Sequence, residues 1–215
     1  MKKTLVLTLL AVLALGVPTA GAAKKRSCLR GDAKLEAASG GVRVVRVKAR
    51  KQSPLQTRRE HVLACWTKTG KRVVVNREVD FGLDNIARTR VEIVDGRYVG
   101  VVIHNEGGVS EALQSRVYDA RTGKLLHTSK ACEAGDTDDH VGIDDVAFLD
   151  GGGMAMACMK LLLFRKAGSA METLEPQGTW VRQVGVSHYS FGFGQRLFWD
   201  VGLDGETTVT KSTAV

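Results

Sequence analysis

Two stretches of the chain, "CWTKTGKRVVV" from Cys65 and "VYDARTGKLLHT" from Val117, carry the same pattern: a strand with an aromatic residue near its end enters Thr-Gly-Lys, and a β-rich strand leaves it. The turn glycines, Gly70 and Gly123, suit positions of positive φ, where a β-carbon would clash. A hairpin that recurs indicates a repeat. A repeat of short strands restricts the fold before composition is considered.

Upstream elements recur as well. "VEIVDGRYVGVVI" from Val91 and "VAFLDGGGMAMAC" from Val146 each send a strand into an Asp-Gly turn and bring an apolar strand out. "KLLLFRKAGSAMETL" from Lys160 adds a strand, an Ala-Gly-Ser turn and another strand, and the segment from Gln183 to Ser212 gives strand, Gly-rich turn, strand, Leu-Asp-Gly turn, strand. Val42 to Val47, His61 to Thr67 and Arg72 to Val75 read as strands by their β-branched content. Only Asp32 to Ser39, "DAKLEAAS", suits a turn or two of helix. The turn glycines Gly70, Gly123, Gly168 and Gly205 recur at a drifting period of roughly 45 residues, the length that four short antiparallel strands and their turns fill. One such sheet cannot bury its own face, so successive sheets must stack. The expected fold is all-β, with antiparallel four-stranded repeats arranged as about four propeller-like blades, in a closed ring or an open arc; a β-sandwich is the alternative.

Lys2 and Lys3, the apolar run from Leu5 to Val17 and the small residues up to Ala23 have the order of a secretory signal peptide, with cleavage near Ala22 or Ala23. Residues 1–23 are therefore read as the leader and 24–215 as a single all-β repeat domain. The run is short for a membrane span and no second one follows, so no span is expected after leader removal. Cleavage removes two lysines and no acid from a chain of formal charge +8, which leaves the exported part basic. Cys28, Cys65, Cys132 and Cys158 all lie in that part, and an even count in an oxidising compartment predicts disulfides. Of the pairings open to them, Cys28 with Cys65 and Cys132 with Cys158 close the most local loops. No Cys-x-x-Cys or Cys/His spacing suggests zinc.

The order of leader, Cys28, "ACW" with Cys65, "GRYVG", "VYDARTGKLL" and a late "RLFWDVG" is similar to a group of uncharacterised exported proteins of high-GC Gram-positive bacteria, and the Thr-Gly-Lys hairpins resemble the outer hairpins of secreted β-propeller-like repeat proteins. The resemblance implies a propeller-like fold and export. That group has no activity to transfer.

Two charged stretches are candidate sites. "EAGDTDDHVGIDDVAFLD" from Glu133 is rich in carboxylates, and Asp136, Asp138, Asp144 and Asp145 form a candidate calcium set. It is not an EF-hand: Val141 stands where that loop needs glycine, and Ala147 where it needs glutamate. A solvated loop between repeats explains the same acids, and His140 lacks a neighbouring histidine for a softer metal. Arg43, Arg46, Lys48 and Arg50, with Lys51, Arg58 and Arg59 nearby, form a candidate anion-binding face; alternation puts Arg46, Lys48 and Arg50 on one side and Val45, Val47 and Ala49 on the other. A solvated edge that discourages strand aggregation is the competing explanation.

Catalytic signatures are scarce. Gly-x-Ser-x-Gly, His-Glu-x-x-His and Walker-type loops do not occur. Ser187 and His188 are adjacent strand residues, a poor arrangement for a nucleophile and its base. Glu92, Asp95 and Glu106 are the acids from which a glycosidase pair could be drawn. "RGD" at Arg30 to Asp32 reads as an exposed turn beside Cys28. Trp66, Trp180, Trp199 and Phe198 read as core, and Phe191 and Phe193 in "SFGFG" as a candidate ligand ledge. The sequence thus describes a secreted, monomeric, disulfide-stabilised binding or structural module at the cell envelope or beyond it. Its expected partner is an anionic envelope polymer or a protein, with no nucleic acid and no cofactor other than the candidate calcium. The alternatives are a carbohydrate-active hydrolase using loop carboxylates and a calcium-stabilised adhesive module.

Overall fold

The structure is a computed structural model and describes residues 27–29, 31–80, 86–106, 112–129, 145–157, 160–175, 180–188, 194–202 and 208–215. The fold is all-β and built from antiparallel meanders, with no α-helix among the described residues. The first sheet runs β1 (Lys34–Ser39), β2 (Val42–Lys48), β3 (Arg58–Trp66) and β4 (Lys71–Asp80). The second runs β5 (Ile86–Val94), β6 (Tyr98–Glu106), β7 (Ala112–Asp119) and β8 (Lys124–Thr128). These two are continuous in strand order but meet through a single residue pair, Asp80 with Ile86, so they act as separate four-stranded units. The third sheet is β9 (Asp145–Leu149), β10 (Gly153–Ala157), β11 (Leu161–Phe164) and β12 (Glu172–Glu175). The fourth has three strands, β13 (Trp180–His188), β14 (Gln195–Gly202) and β15 (Thr208–Ala214).

The Thr-Gly-Lys repeat is a repeat of hydrogen bonds. Gly70 and Gly123 take φ of 69° and 74°, and each N–H donates to a carbonyl four residues back, Trp66 and Asp119, at 2.7 Å. In both turns the lysine N–H donates to the threonine Oγ1 at 3.3 Å. Asp119 adds a further clamp: its Oδ1 accepts the N–H of Arg121 at 2.9 Å, and its Oδ2 accepts from Arg97 at 2.7 Å. Burial alone would raise the Asp119 carboxyl, but these bonds outweigh it and hold the group below the usual carboxylate range.

Three cores lie between the four sheets. Val42, Val44, Val62, Ala64 and Val75 of the first sheet pack on Val99, Val101 and Ile103 of the second. The other face of the second sheet, with Tyr98, Val102 and Val117, packs on Phe148, Met154, Met156 and Leu162 of the third. The far face of the third, with Leu149, Ala155, Leu161 and Leu163, meets Val181, Leu197, Trp199 and Val201 of the fourth. Alternation along each strand assigns these residues: Val99 and Val101 face one neighbour, Tyr98 and Val102 the other. At Gly100, on the same face as Tyr98 and Val102, a β-carbon would lie 2.4 Å from the Phe148 ring, so the absent side chain is what admits the ring.

The first hairpins of successive sheets are also tied at one end. Gly41 N–H donates to Gly96 O at 3.1 Å, Gly151 N–H to Asp95 Oδ2 at 2.5 Å, and Asp150 N–H to Gln195 Oε1 at 2.6 Å. The first strands β1, β5, β9 and β13 lie against one another in that order. Among the described residues, none of the principal strand contacts joins the first sheet to the fourth.

Two expectations change. Lys34–Ser39 is a strand and not helix, because the Gly40–Gly41 turn folds it back on Val42–Arg46 and ladder pairing overrides a weak local propensity. The chain also makes a stack of four sheets where a sandwich would have two, since the second and third sheets each bury both faces.

Candidate functional site

The two faces of the first sheet differ in charge. Hairpin pairing aligns Val47 with His61 and Arg77, Val45 with Leu63 and Val74, and Arg43 with Cys65 and Arg72. Arg59 continues the column of His61 along β3. These residues share the outward face, and no carboxylate stands among the β2, β3 and β4 residues that do. A bulge makes this possible: Val62 pairs with Asn76 but Leu63 with Val74, so Val75 is the extra residue. Arg72 and Arg77, an odd number of residues apart, consequently point the same way.

The opposite face carries the acids. Arg46 Nε donates to Glu36 Oε1 at 3.0 Å, and its Nη1 reaches Glu60 Oε2 at 3.3 Å and Glu78 Oε2. Arg58 lies 3.9 Å from Glu60 and 3.7 Å from Glu78. Glu78 is 2 % exposed, and its Oε1 has no hydrogen-bond partner among the described residues. A carboxylate this buried is tolerable only beside cations, so Arg46 belongs to the packing of this face and not to a free surface. Beyond this cluster, Asn76 Nδ2 donates to Thr89 Oγ1 at 2.8 Å and joins the first sheet to the second.

The predicted basic face is therefore divided. Arg46 and Lys48 share the inward face, where Arg46 is neutralised, whereas Arg43 lies on the outward one; Lys48 and Arg50 are exposed. Alternation keeps Arg46 and Lys48 together, and the three-residue spacing of Arg43 and Arg46 across Val44–Val45 puts those two on opposite sides. Sequence reasoning missed His61, Arg72 and Arg77, the last of which is brought to the side of Arg72 by the bulge. The signal within reach was Arg59 and His61 at a two-residue spacing.

His61 sits between two cations. Burial, then the charges of Arg59 and Arg77, push its pKa below the ordinary histidine value. Its Nε2 and the Nε of Arg59 are shielded from solvent and have no hydrogen-bond partner among the described residues. Arg59 Nη1 donates to Arg50 O at 3.0 Å, which ties the segment after β2 to the same face.

At the other end of this face the chain is bolted down. Cys28 and Cys65 form a disulfide with Cα atoms 5.8 Å apart, as the local pairing predicts, and Arg72 Nη2 donates to the carbonyls of Ser27 and Cys28 at 2.6 and 3.0 Å. Gly31 and Asp32 form an exposed turn beside it, while Arg30 of the same tripeptide lies outside the described residues. Cys132 and Cys158 also lie outside them.

The remaining candidates are distributed as follows. Asp136, Asp138, His140 and Asp144 lie outside the described residues. Asp145 is committed to backbone: Oδ1 accepts the N–H of Val146 at 2.8 Å and Oδ2 that of Val184 at 2.9 Å, which pins β13 to β9. No group of metal-ligating side chains occurs among the described residues. Glu92 pairs with Gly100 and Glu106 with Ile86, a separation of roughly 20 Å along the hairpin. That exceeds the spacing of roughly 5–9.5 Å that glycosidase carboxylates keep. Asp95 is occupied by Gly151. Ser187 and His188 are consecutive β13 residues in register with Arg196 and Gln195. Trp66 packs beside the first core, Trp199 is buried in the third and donates to Glu175 Oε1 at 2.9 Å, and Phe198 is half-buried. Phe191 and Phe193 lie outside the described residues. No helix among the described residues is long and apolar enough to cross a membrane.

No family model, no curated protein and no solved structure matches the chain.

Proposed function

We propose that the protein is an exported, non-catalytic module that binds at the cell envelope or outside the cell, with its four sheets acting as propeller-like blades in an open arc. The observation that carries this reading is the Cys28–Cys65 disulfide, which fastens the segment following the leader onto the first sheet. A bond of this kind persists in an oxidising compartment and adds about 2–4 kcal/mol, mainly by restricting the unfolded chain. Stacked meanders with shared cores and linked first hairpins give rigid repeats whose outward faces and connecting loops are free to vary, the usual arrangement of a binding scaffold. The propeller-like arrangement is supported by β1, β5, β9 and β13 lying side by side, as inner blade strands do.

The test is to express the full chain with its own leader, recover protein from the medium, and map its peptides without reduction. Cleavage near Ala23 together with a Cys28–Cys65 cross-link is the expected result. A retained leader or free thiols in the secreted pool would overturn the reading. Incubating the mature protein with isolated cell envelopes then measures binding directly, and full recovery in the supernatant counts against a binding role there.

A further inference from the structure

We propose that the outward face of the first sheet, around Arg59, His61 and Arg77, is a docking surface for the phosphate groups of an extracellular phosphate-bearing polymer. The proposal rests on the reading of the protein as an exported binding module and names the partner of that module. Four observations carry it, beginning with geometry. His61 and Arg77 are directly paired across β3 and β4, which places their Cα atoms about 4.5–5.5 Å apart. Arg59 follows two residues along β3 on the same face, a further ~7 Å. Three nitrogen-bearing side chains thus occupy a patch about the size of one oxyanion and its immediate neighbours.

The second observation is charge. No carboxylate shares this face on β2, β3 or β4, and the segment from Ala49 to Thr57, which packs against Arg59 through Arg50, contains Arg50 and Lys51 and no acid. The nearby acids Glu60 and Glu78 are turned to the other face and engaged by Arg46 and Arg58. Arg77, Arg50 and Lys51 are exposed. Third, Arg59 Nε and His61 Nε2 have no partner among the described residues, so neither nitrogen is committed to an internal acceptor. The fourth is that β2 presents only Val47 opposite His61, so the field there is set by Arg59 on its own strand and Arg77 on β4, both positive.

Phosphate fits this patch better than carboxylate. Donors are carried by β3, β4 and the segment after β2, a distribution that suits an acceptor with several oxygens, whereas a single carboxylate offers one planar edge. Guanidinium groups suit phosphate by shape as well as charge. A polymer would continue along the exposed Arg50 and Lys51, and each added contact would steepen the salt dependence.

The experiment titrates the mature, disulfide-bonded protein with a labelled linear inorganic polyphosphate, at low and at physiological salt, alongside polyglutamate as the carboxylate probe. Wild type is expected to bind polyphosphate at least tenfold more tightly than polyglutamate. The R59Q/R77Q variant should lose tenfold or more, and a charge-matched control at the second-sheet hairpin, R121Q/K124Q, should stay within twofold of wild type. R77Q alone alters an exposed side chain and serves as the variant whose folding is not in question; it should lose severalfold. Absence of polyphosphate binding, equal losses in the two double variants, or equal affinity for polyglutamate would each overturn the proposal. If isolated envelopes retain wild type and R59Q/R77Q equally, this docking surface fails while the binding-module reading stands. If polyphosphate binds as described but envelopes retain nothing, the surface stands and the envelope role fails.

Discussion

The third sheet and the first are the same kind of meander, yet their strands look unlike. In the third, every residue of Gly153–Ala157 and Leu161–Leu163 is buried, so β10 and β11 read as unbroken runs of small and apolar side chains. In the first, β3 spells out Arg-Arg-Glu-His before it turns apolar, with Arg59 and His61 on one face and Arg58 and Glu60 on the other. The difference follows from position in the stack. The third sheet is covered on both sides by neighbours, whereas among the described residues the first has a sheet on one side and, on the other, the segments around Cys28 and Arg50 over part of its surface. A strand's polarity here records how many neighbours its sheet has.

Perturbations should therefore differ in size between the two sheets. The largest effect is expected from Leu162→Ala, in the middle of a sheet buried on both faces. The cavity should lower unfolding free energy by about 2–5 kcal/mol in a urea titration, while Val74→Ala on the exposed column of the first sheet should cost only about 0.5 kcal/mol or less. Equal losses would break the comparison. Next is the disulfide: Cys28→Ser with Cys65→Ser should lower stability by about 2–4 kcal/mol, read as the difference between the variant and the oxidised wild type. A smaller effect would mean that Arg72 and its carbonyl partners hold the segment by themselves.

Gly100→Ala should follow at about 1–3 kcal/mol, because the added methyl meets the Phe148 ring where the second sheet packs on the third. Combining it with Phe148→Leu should recover part of that loss, and a strictly additive double variant would show that the contact is not the cause. The smallest effect is a pH slope. His127 is buried, stacked on Phe164 at 4.3 Å, and donates from Nε2 to Lys166 O at 3.1 Å; burial lowers its pKa in spite of that carbonyl. The unfolded chain then binds the proton first as pH falls. Stability should decline between the ordinary histidine value and the lower folded one, and be fully present above both. In His127→Phe this part of the slope should vanish, which urea midpoints measured across the acid range would detect.

Much of the fold was legible because its information is local. Thr-Gly-Lys turns, Asp-Gly turns and strands of alternating or continuous apolar residues report themselves within about ten residues, and the described strands other than β1 overlap those signals, although β4 runs on past Val75 to Asp80 and β5 begins at Ile86, before Val91. The first strand was hidden because Asp32–Ser39 has helical composition, and only pairing with β2 makes it extended. The candidate site was less legible. Arg43 and Arg46 stand close in sequence, and their three-residue spacing in a strand already assigns them to opposite faces, whereas Arg77 joins Arg59 only because Val75 bulges. Bulges and partner faces depend on residues far along the chain, so no local pattern encodes them.

By itself the sequence determined the strand content, the hairpin repeat, the favoured Cys28–Cys65 pairing and the excess of basic charge, since each depends on backbone preferences, spacing or simple composition. Only the tertiary structure decided which face of each strand is buried, that Arg46 is consumed by Glu36, Glu60 and Glu78, and that Arg59, His61 and Arg77 stand together on a face to which the described strands β2, β3 and β4 bring no carboxylate. The physical reason is that a side chain's electrostatic surroundings are set by strands that pair and sheets that stack across long stretches of chain, and a one-residue shift in register reverses them.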